Sequence, residues 1–239
     1  MSYLALVALA ALDAVGYGIV APVVPTIADE AGVGPVVIGA LVTCFGLGQL
    51  GGYPLAGGIV ERWAAPVLLV ASLAVTAVGD VGFVVGSGLE AYFPARLLQG
   101  LGAAGLWLGV VFAVLERYPG SEYARLSGVV AAYSIGSVVG PALGGLGGIS
   151  APFLAHLALV VAGVALVALL GPARVRPAFV ADRDVLRSAG FGLAAAGILV
   201  VALGFGTLEG PLPLHFAVEL SQGAIALLYV GAAVLVATG

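Results

Sequence analysis

Tyr3–Ile27 reads YLALVALAALDAVGYGIVAPVVPTI, and one residue in it, Asp13, sets how the rest of the chain is read. The run is about 25 residues long, and a helix that crosses a membrane needs about 20. Asp13 is its only charge. At about 1.5 Å per residue it lies about 15 Å from the start, near the middle of a hydrocarbon layer about 30 Å thick. An acid at that depth costs about 2.5–3.5 kcal/mol on insertion scales, so it needs a compensating role. Further along, Pro22 and Pro25 remove backbone donors and break the helical hydrogen bonding near the far end. Membrane helices carry such breaks where the freed carbonyls face protein or a water-filled cavity. One face of this helix is therefore expected to look into a polar interior.

Composition agrees. A soluble domain carries about 25% charged residues; here 8% of 239 residues are charged and 62% are hydrophobic, with a mean hydropathy of +1.21. The chain reads as an all-α polytopic membrane protein. Its net charge of −4 is spread over too few residues to define a partner, and no basic run points to nucleic acid. Cys44 is the sole cysteine, which excludes an intrachain disulfide. The N-terminus lacks a basic region ahead of its apolar run, and that run is too long for a signal peptide and holds Asp13. It reads as a retained first helix.

Apolar runs divided by short polar turns predict eight spans, near 3–27, 35–58, 66–87, 91–115, 126–148, 152–171, 189–209 and 222–239. All the basic residues are arginines. Arg62 falls between spans two and three, Arg117 and Arg125 between four and five, and Arg174, Arg176, Arg183 and Arg187 between six and seven. These loops share one side of the membrane. The opposite loops hold Asp29, Glu30 and Glu90. The excess of arginine places the first set, and the N-terminus, in the cytoplasm, in what is expected to be the plasma (inner) membrane.

Residues 172–188, PARVRPAFVADRDVLRS, form the longest polar segment and read as a cytoplasmic linker between an N-terminal six-helix bundle (1–171) and a second unit (189–239). A weak echo crosses it. Gly16-Tyr17-Gly18 leads to Pro22 and Pro25, and Gly204-Phe205-Gly206 leads to Pro211 and Pro213. Parallel repeats of six-helix halves are a transporter architecture. A second half of equal size implies that the 239 residues hold about eight of twelve helices. On that expectation the chain alone does not confer efflux, and an extended reading frame with about four more spans does.

Four stretches together resemble the proton-coupled drug exporters of the major facilitator superfamily. LDAVGYGIVAPVVP, with Asp13, Pro22 and Pro25, is similar to the first-helix motif. RLLQGLGAAG, from Arg96, is similar to the fourth-helix motif, whose arginine the resemblance implicates in proton transfer. GSVVGPALGG, with Gly136, Gly140, Pro141, Gly144 and Gly145, is similar to the fifth-helix motif of exporters. TLEGPLPLH resembles the acid-and-proline segment of the vesicular-amine-transporter-like branch, where Glu209 matches the seventh-helix acid and Pro211 and Pro213 are helix-breaking. The cytoplasmic loop motif between spans two and three is degraded: after Gly57 it carries Glu61 for an aspartate and Arg62, then Ala64 where a glycine is usual. The resemblance implies a major-facilitator-type helical bundle that exports amphipathic or cationic small molecules by alternating access. Its partners would be that substrate, protons and the bilayer, with no cofactor. A non-transporting truncated protein or assembly partner is the alternative. No nucleophile–base, metal-ligand or phosphate-loop pattern supports an enzyme.

Burial strips hydration from a charged carboxyl, so a cavity-facing Asp13 would exchange a proton against a cationic substrate, unless it only accepts a structural hydrogen bond. Glu209 reads either as a second such acid or as an interfacial one. Asp80 and Arg96 fall near the outer ends of adjacent antiparallel spans and are expected to form an ion pair, structural or part of a proton relay. Gly140-Pro141 favours close packing or a bend. His156 and His215 read as isolated structural or interfacial residues.

Overall fold

The computed structural model describes residues 2–169, 192–193, 196–197, 200 and 208–238. The linker at 172–188 with its four arginines, and the Gly204–Gly206 echo, lie outside the described residues, as does most of the seventh predicted span. What is described is helical, with no strand.

The first apolar run becomes two helices on one axis, α1 (Ser2–Gly18) and α2 (Val20–Ala31). Proline chemistry sets the break between them at Ile19. Pro22 has no N–H for the carbonyl of Gly18 and its ring crowds that group. Pro25 is carried inside α2 without ending it. Gly32 then stops the helix at φ 62°, and the Val33 N–H returns to the Ala28 carbonyl at 3.1 Å. Four more membrane-length helices follow: α3 (Pro35–Arg62), α4 (Ala65–Val85), α5 (Leu89–Arg117) and α6 (Glu122–Gly144). A fifth, α7 (Ser150–Leu169), closes the N-terminal set. Among the described residues, six segments are long and apolar enough to cross a membrane, matching the first six predicted spans.

After the undescribed stretch come α8 (Pro211–Phe216) and α9 (Gln222–Thr238). A helix break falls next to Pro211: Leu208 and Glu209 are helical, Gly210 turns, and the chain re-enters a helix at Pro211. Pro211 and Pro213 both sit in the first turn of α8, where backbone N–H groups have no intrahelical acceptor and their loss costs nothing.

In space α1 packs along α6, α5 lies between α3 and α4, α4 also borders α7, and α9 rests on α6. The buried apolar residues form two separate cores. One gathers Leu6, Leu9, Val60, Leu68, Leu69, Val110 and Val114 toward the side of the α3–α4 and α5–α6 turns. The other gathers Val15, Ile19, Val23, Ile38, Phe83 and Phe153 toward the opposite side. The second core holds an aromatic stack in which Phe83 lies 4.1 Å from Phe153 and 5.1 Å from Tyr92, centroid to centroid. Asp13 stands between the two cores.

The α1–α6 seam explains the glycines of the fifth span. Gly136, Gly140 and Gly144, each four residues from the next, face the carbonyls of Ala11 and Val15 on α1 and of Ile19 at its junction with α2, which repeat at the same interval. A Cβ at Gly136 would fall on the Ala11 oxygen, so only glycine allows this approach. Pro141 rests on Gly18, and Gly145 on Ala226 of α9. At the end near the α6–α7 turn the Gln222 amide donates to the carbonyls of Gly144 and Gly148 at 2.6 and 3.0 Å, and its oxygen accepts from Thr26 at 3.0 Å. At the other end Tyr3 donates to the Arg125 carbonyl at 2.8 Å, under the Arg125 guanidinium.

Candidate functional site

The band between the cores collects the buried polar side chains Asp13, Thr76, Asp80, Arg96, Gln99 and His156. Asp13, on α1, is 8% exposed. It lines a cavity together with Thr76, Gln99 and His156, with room for about one water molecule. Gly16, one turn on, brings the His156 ring against the backbone of α1. On its other side Asp13 acts electrostatically on Tyr53 of α3 and Tyr133 of α6. The Tyr133 ring meets the edge of Trp107 at 5.6 Å.

Arg96 is fully buried on α5. Its NH1 donates to Gln99 Oε1 at 3.1 Å, and its guanidinium lies 4.4 Å from the centroid of Phe45. Its Nε and NH2 have no hydrogen-bond partner among the described residues. Glu209, buried just before α8, accepts a hydrogen bond from the Tyr17 hydroxyl and acts electrostatically on Arg96. The structure therefore brings Asp13 and Tyr17 of α1, Arg96 of α5 and Glu209 into one polar region, and Glu209 is buried there instead of lying at a water interface.

The expected Asp80–Arg96 ion pair is not direct. Gln99 stands between them: its Nε2 donates to Asp80 Oδ1 at 2.8 Å while its oxygen takes the Arg96 donor. The second oxygen of Asp80 lies 2.8 Å from His156 Nδ1. The expectation that His156 is isolated fails for the same reason. Position along a helix gives depth, but not rotation about the axis, and α5 turns Gln99 toward α4 where Arg96 had been expected. Matching depth was a usable signal: Asp80, Gln99 and His156 all fall within the halves of their helices nearest the α4–α5 and α6–α7 turns.

Replacing Gln99 with Leu is expected to lower thermal stability of the solubilised protein by about 1–3 kcal/mol, since it leaves Asp80 and Arg96 each short of a buried hydrogen bond. Asp80→Asn added to Gln99→Leu should cost less than the two separately. Additive losses in thermal unfolding would show that the amide does not join the charges.

Of the degraded loop motif, Gly57 lies in α3 and Arg62 is exposed in its last turn; the Glu61 side chain is outside the described residues.

The family model described as Major Facilitator Superfamily matches residues 6–239. Among curated proteins, "Multidrug resistance protein 1" of Bacillus subtilis (strain 168) is 33% identical over 131 residues, 54% of this chain and 34% of that protein. "Tetracycline resistance protein, class G" of Vibrio anguillarum is 35% identical over 153 residues, 60% of this chain and 38% of that protein. The matches thus span little more than a third of these relatives. Among solved structures, a bacterial homolog of the human lysosomal transporter Spinster, inward-facing and unoccupied, superposes with a TM-score of 0.80 at 16% identity, over 97% of this chain and 59% of that one. A D-xylose–proton symporter gives 0.73 at 12% identity, over 99% and 66%. At these identities the likeness is one of fold.

Proposed function

The chain belongs to the major facilitator superfamily, and from that premise we propose that it forms the N-terminal bundle and the start of the second bundle of a proton-coupled exporter of amphipathic cations. Alternating access would arise as the bundles rock about a site at the membrane midplane. The observation that carries this reading is Asp13: a nearly buried carboxyl at mid-depth in the first span, lining a cavity with Thr76, Gln99 and His156. A cationic substrate favours the ionised acid and a proton neutralises it, so the two compete for one group. The names of the relatives, a multidrug and a tetracycline resistance protein, favour the same substrate class. Glu209, beside Tyr17 and Arg96, would be the second acid of the route.

The test is transport by the full-length protein in proteoliposomes. A fluorescent lipophilic cation should accumulate against its gradient when the lumen is acidic, and a protonophore should release it. Accumulation that ignores the pH gradient would exclude proton coupling.

The orientation proposed has the N-terminus in the cytoplasm. With Cys44 replaced by Ala, a cysteine at exposed Ser121 should be shielded from an impermeant thiol reagent in intact cells. One at exposed Ser87 should react. Ser87 is the better outer position than its neighbour Gly88, whose φ of 80° strains any side chain. The reverse labelling pattern would invert the topology.

A further inference from the structure

Resting on the reading of Asp13 as the coupling acid, we propose that His156, held by Asp80, is a second proton-binding group of the N-terminal bundle, coupled to Asp13 through the cavity they share. The geometry around the ring carries it. His156 is 2% exposed and Asp80 is fully buried. Nδ1 lies 2.8 Å from Asp80 Oδ2, and Nε2 lies 3.4 Å from the carbonyl oxygen of Leu12. A carboxylate and a peptide carbonyl are both acceptors, so both ring nitrogens face groups that want a proton donor. The neutral ring can satisfy only one of them; the imidazolium satisfies both. When the proton leaves Nε2 for a water in the shared cavity, its N–H bond breaks, the electron pair stays on the ring, and the Leu12 carbonyl keeps only its helical donor, the Gly16 N–H.

The charges nearby fit this exchange. Asp80 takes the Gln99 amide on one oxygen and His156 on the other, so its acceptor positions are engaged from two helices. Arg96 of α5 stands behind Gln99 and offsets the charge of Asp80. From α1, Asp13 lines the same cavity as the ring, and the Thr76 hydroxyl of α4, which lacks a hydrogen-bond partner among the described residues, lines it as well. From α6, Tyr133 lies within the electrostatic reach of Asp13. An ionised Asp13 therefore favours the protonated ring. An Asp13 neutralised by its own proton, or engaged by a substrate cation, favours the neutral one. The link is mechanical as well, since Leu12 immediately precedes Asp13 and the ring packs against Gly16.

The experiment reads the ring itself. The protein is labelled with 15N-histidine in lipid nanodiscs, with its remaining histidines, His215 among them, replaced by Gln, and ring 15N shifts report protonation and tautomer between about pH 5 and about pH 8. The wild-type ring should gain its second proton within this range. At about pH 6, Asp13→Asn should reduce the doubly protonated fraction at least about twofold, and Asp80→Asn should reduce it further. A ring that keeps one protonation state across the range overturns the proposal, and so does a fraction unchanged by Asp13→Asn. Neither the wild-type titration nor the Asp13→Asn comparison depends on whether Asp80→Asn folds. Transport assays report on Asp13 without reading His156, so the exporter reading and the second proton site can fail separately.

Discussion

Asp13→Asn in the full-length protein is expected to abolish accumulation of a lipophilic cation driven by a pH gradient, a loss of at least about tenfold that corresponds to about 1.4 kcal/mol or more. The variant should fold, because a neutral amide is cheaper to hold at mid-membrane than an acid. Its shape is nearly that of the carboxyl, so the cavity shared with Thr76, Gln99 and His156 persists. Downhill exchange of substrate is therefore expected to survive while coupling is lost. Binding should weaken more for a cation than for a neutral analogue, since only the cation loses a charge partner. Proteoliposome transport with and without the imposed gradient separates these effects. Gradient-driven transport equal to wild type would remove Asp13 from the mechanism and leave Glu209, beside Tyr17 and Arg96, as the acid to test next.

Gly136→Val is expected to have the second large effect, on folding. Over-packing an ordinary core costs about 1–3 kcal/mol because side chains can shift. Here the first atom met is the backbone oxygen of Ala11, with the Ala14 Cβ beside it. Relief requires α1 and α6 to separate, and that would open the contacts of Gly140 and Gly144 on the same seam. Little monodisperse protein should survive detergent extraction and size-exclusion chromatography. Gly39→Val is the matched control: nothing lies within 4 Å of the position a Cβ would take there, and extraction should be close to wild type. Equal recovery of both variants would show that the seam tolerates separation.

Much of the architecture was legible in the sequence, for identifiable reasons. Length and apolar composition fixed the first six spans. Proline chemistry located the interruption at Ile19, and a solitary charge singled out Asp13. The Gly136–Gly140–Gly144 repeat was visible, although its partners, the carbonyls of α1, were not. What sequence could not supply was rotation about helix axes. Gln99 stood in the RLLQGLGAAG motif without a role of its own, yet it joins the two charges that had been paired directly. His156 lies far along the chain from Asp80, and nothing in the linear order brings α7 against α4. Pro211 and Pro213 marked a lost donor without saying that the chain re-enters a helix there, after the turn at Gly210. The two apolar cores were equally hidden, since every span is hydrophobic throughout and only the packed bundle sorts its residues into two ends.

The discontinuity in α1 does not occur alone. Gly18, whose carbonyl Pro22 cannot serve, lies against Gly140 and Pro141, the place where α6 loses a donor of its own. Two neighbouring rods are thus weakened at one level. Were only one of them weakened there, flexing it would drag its surface along a straight partner and pull the glycine contacts out of step. With both yielding at the same height, the outer segments can tilt as a joined pair, and the seam keeps its registration while it does so.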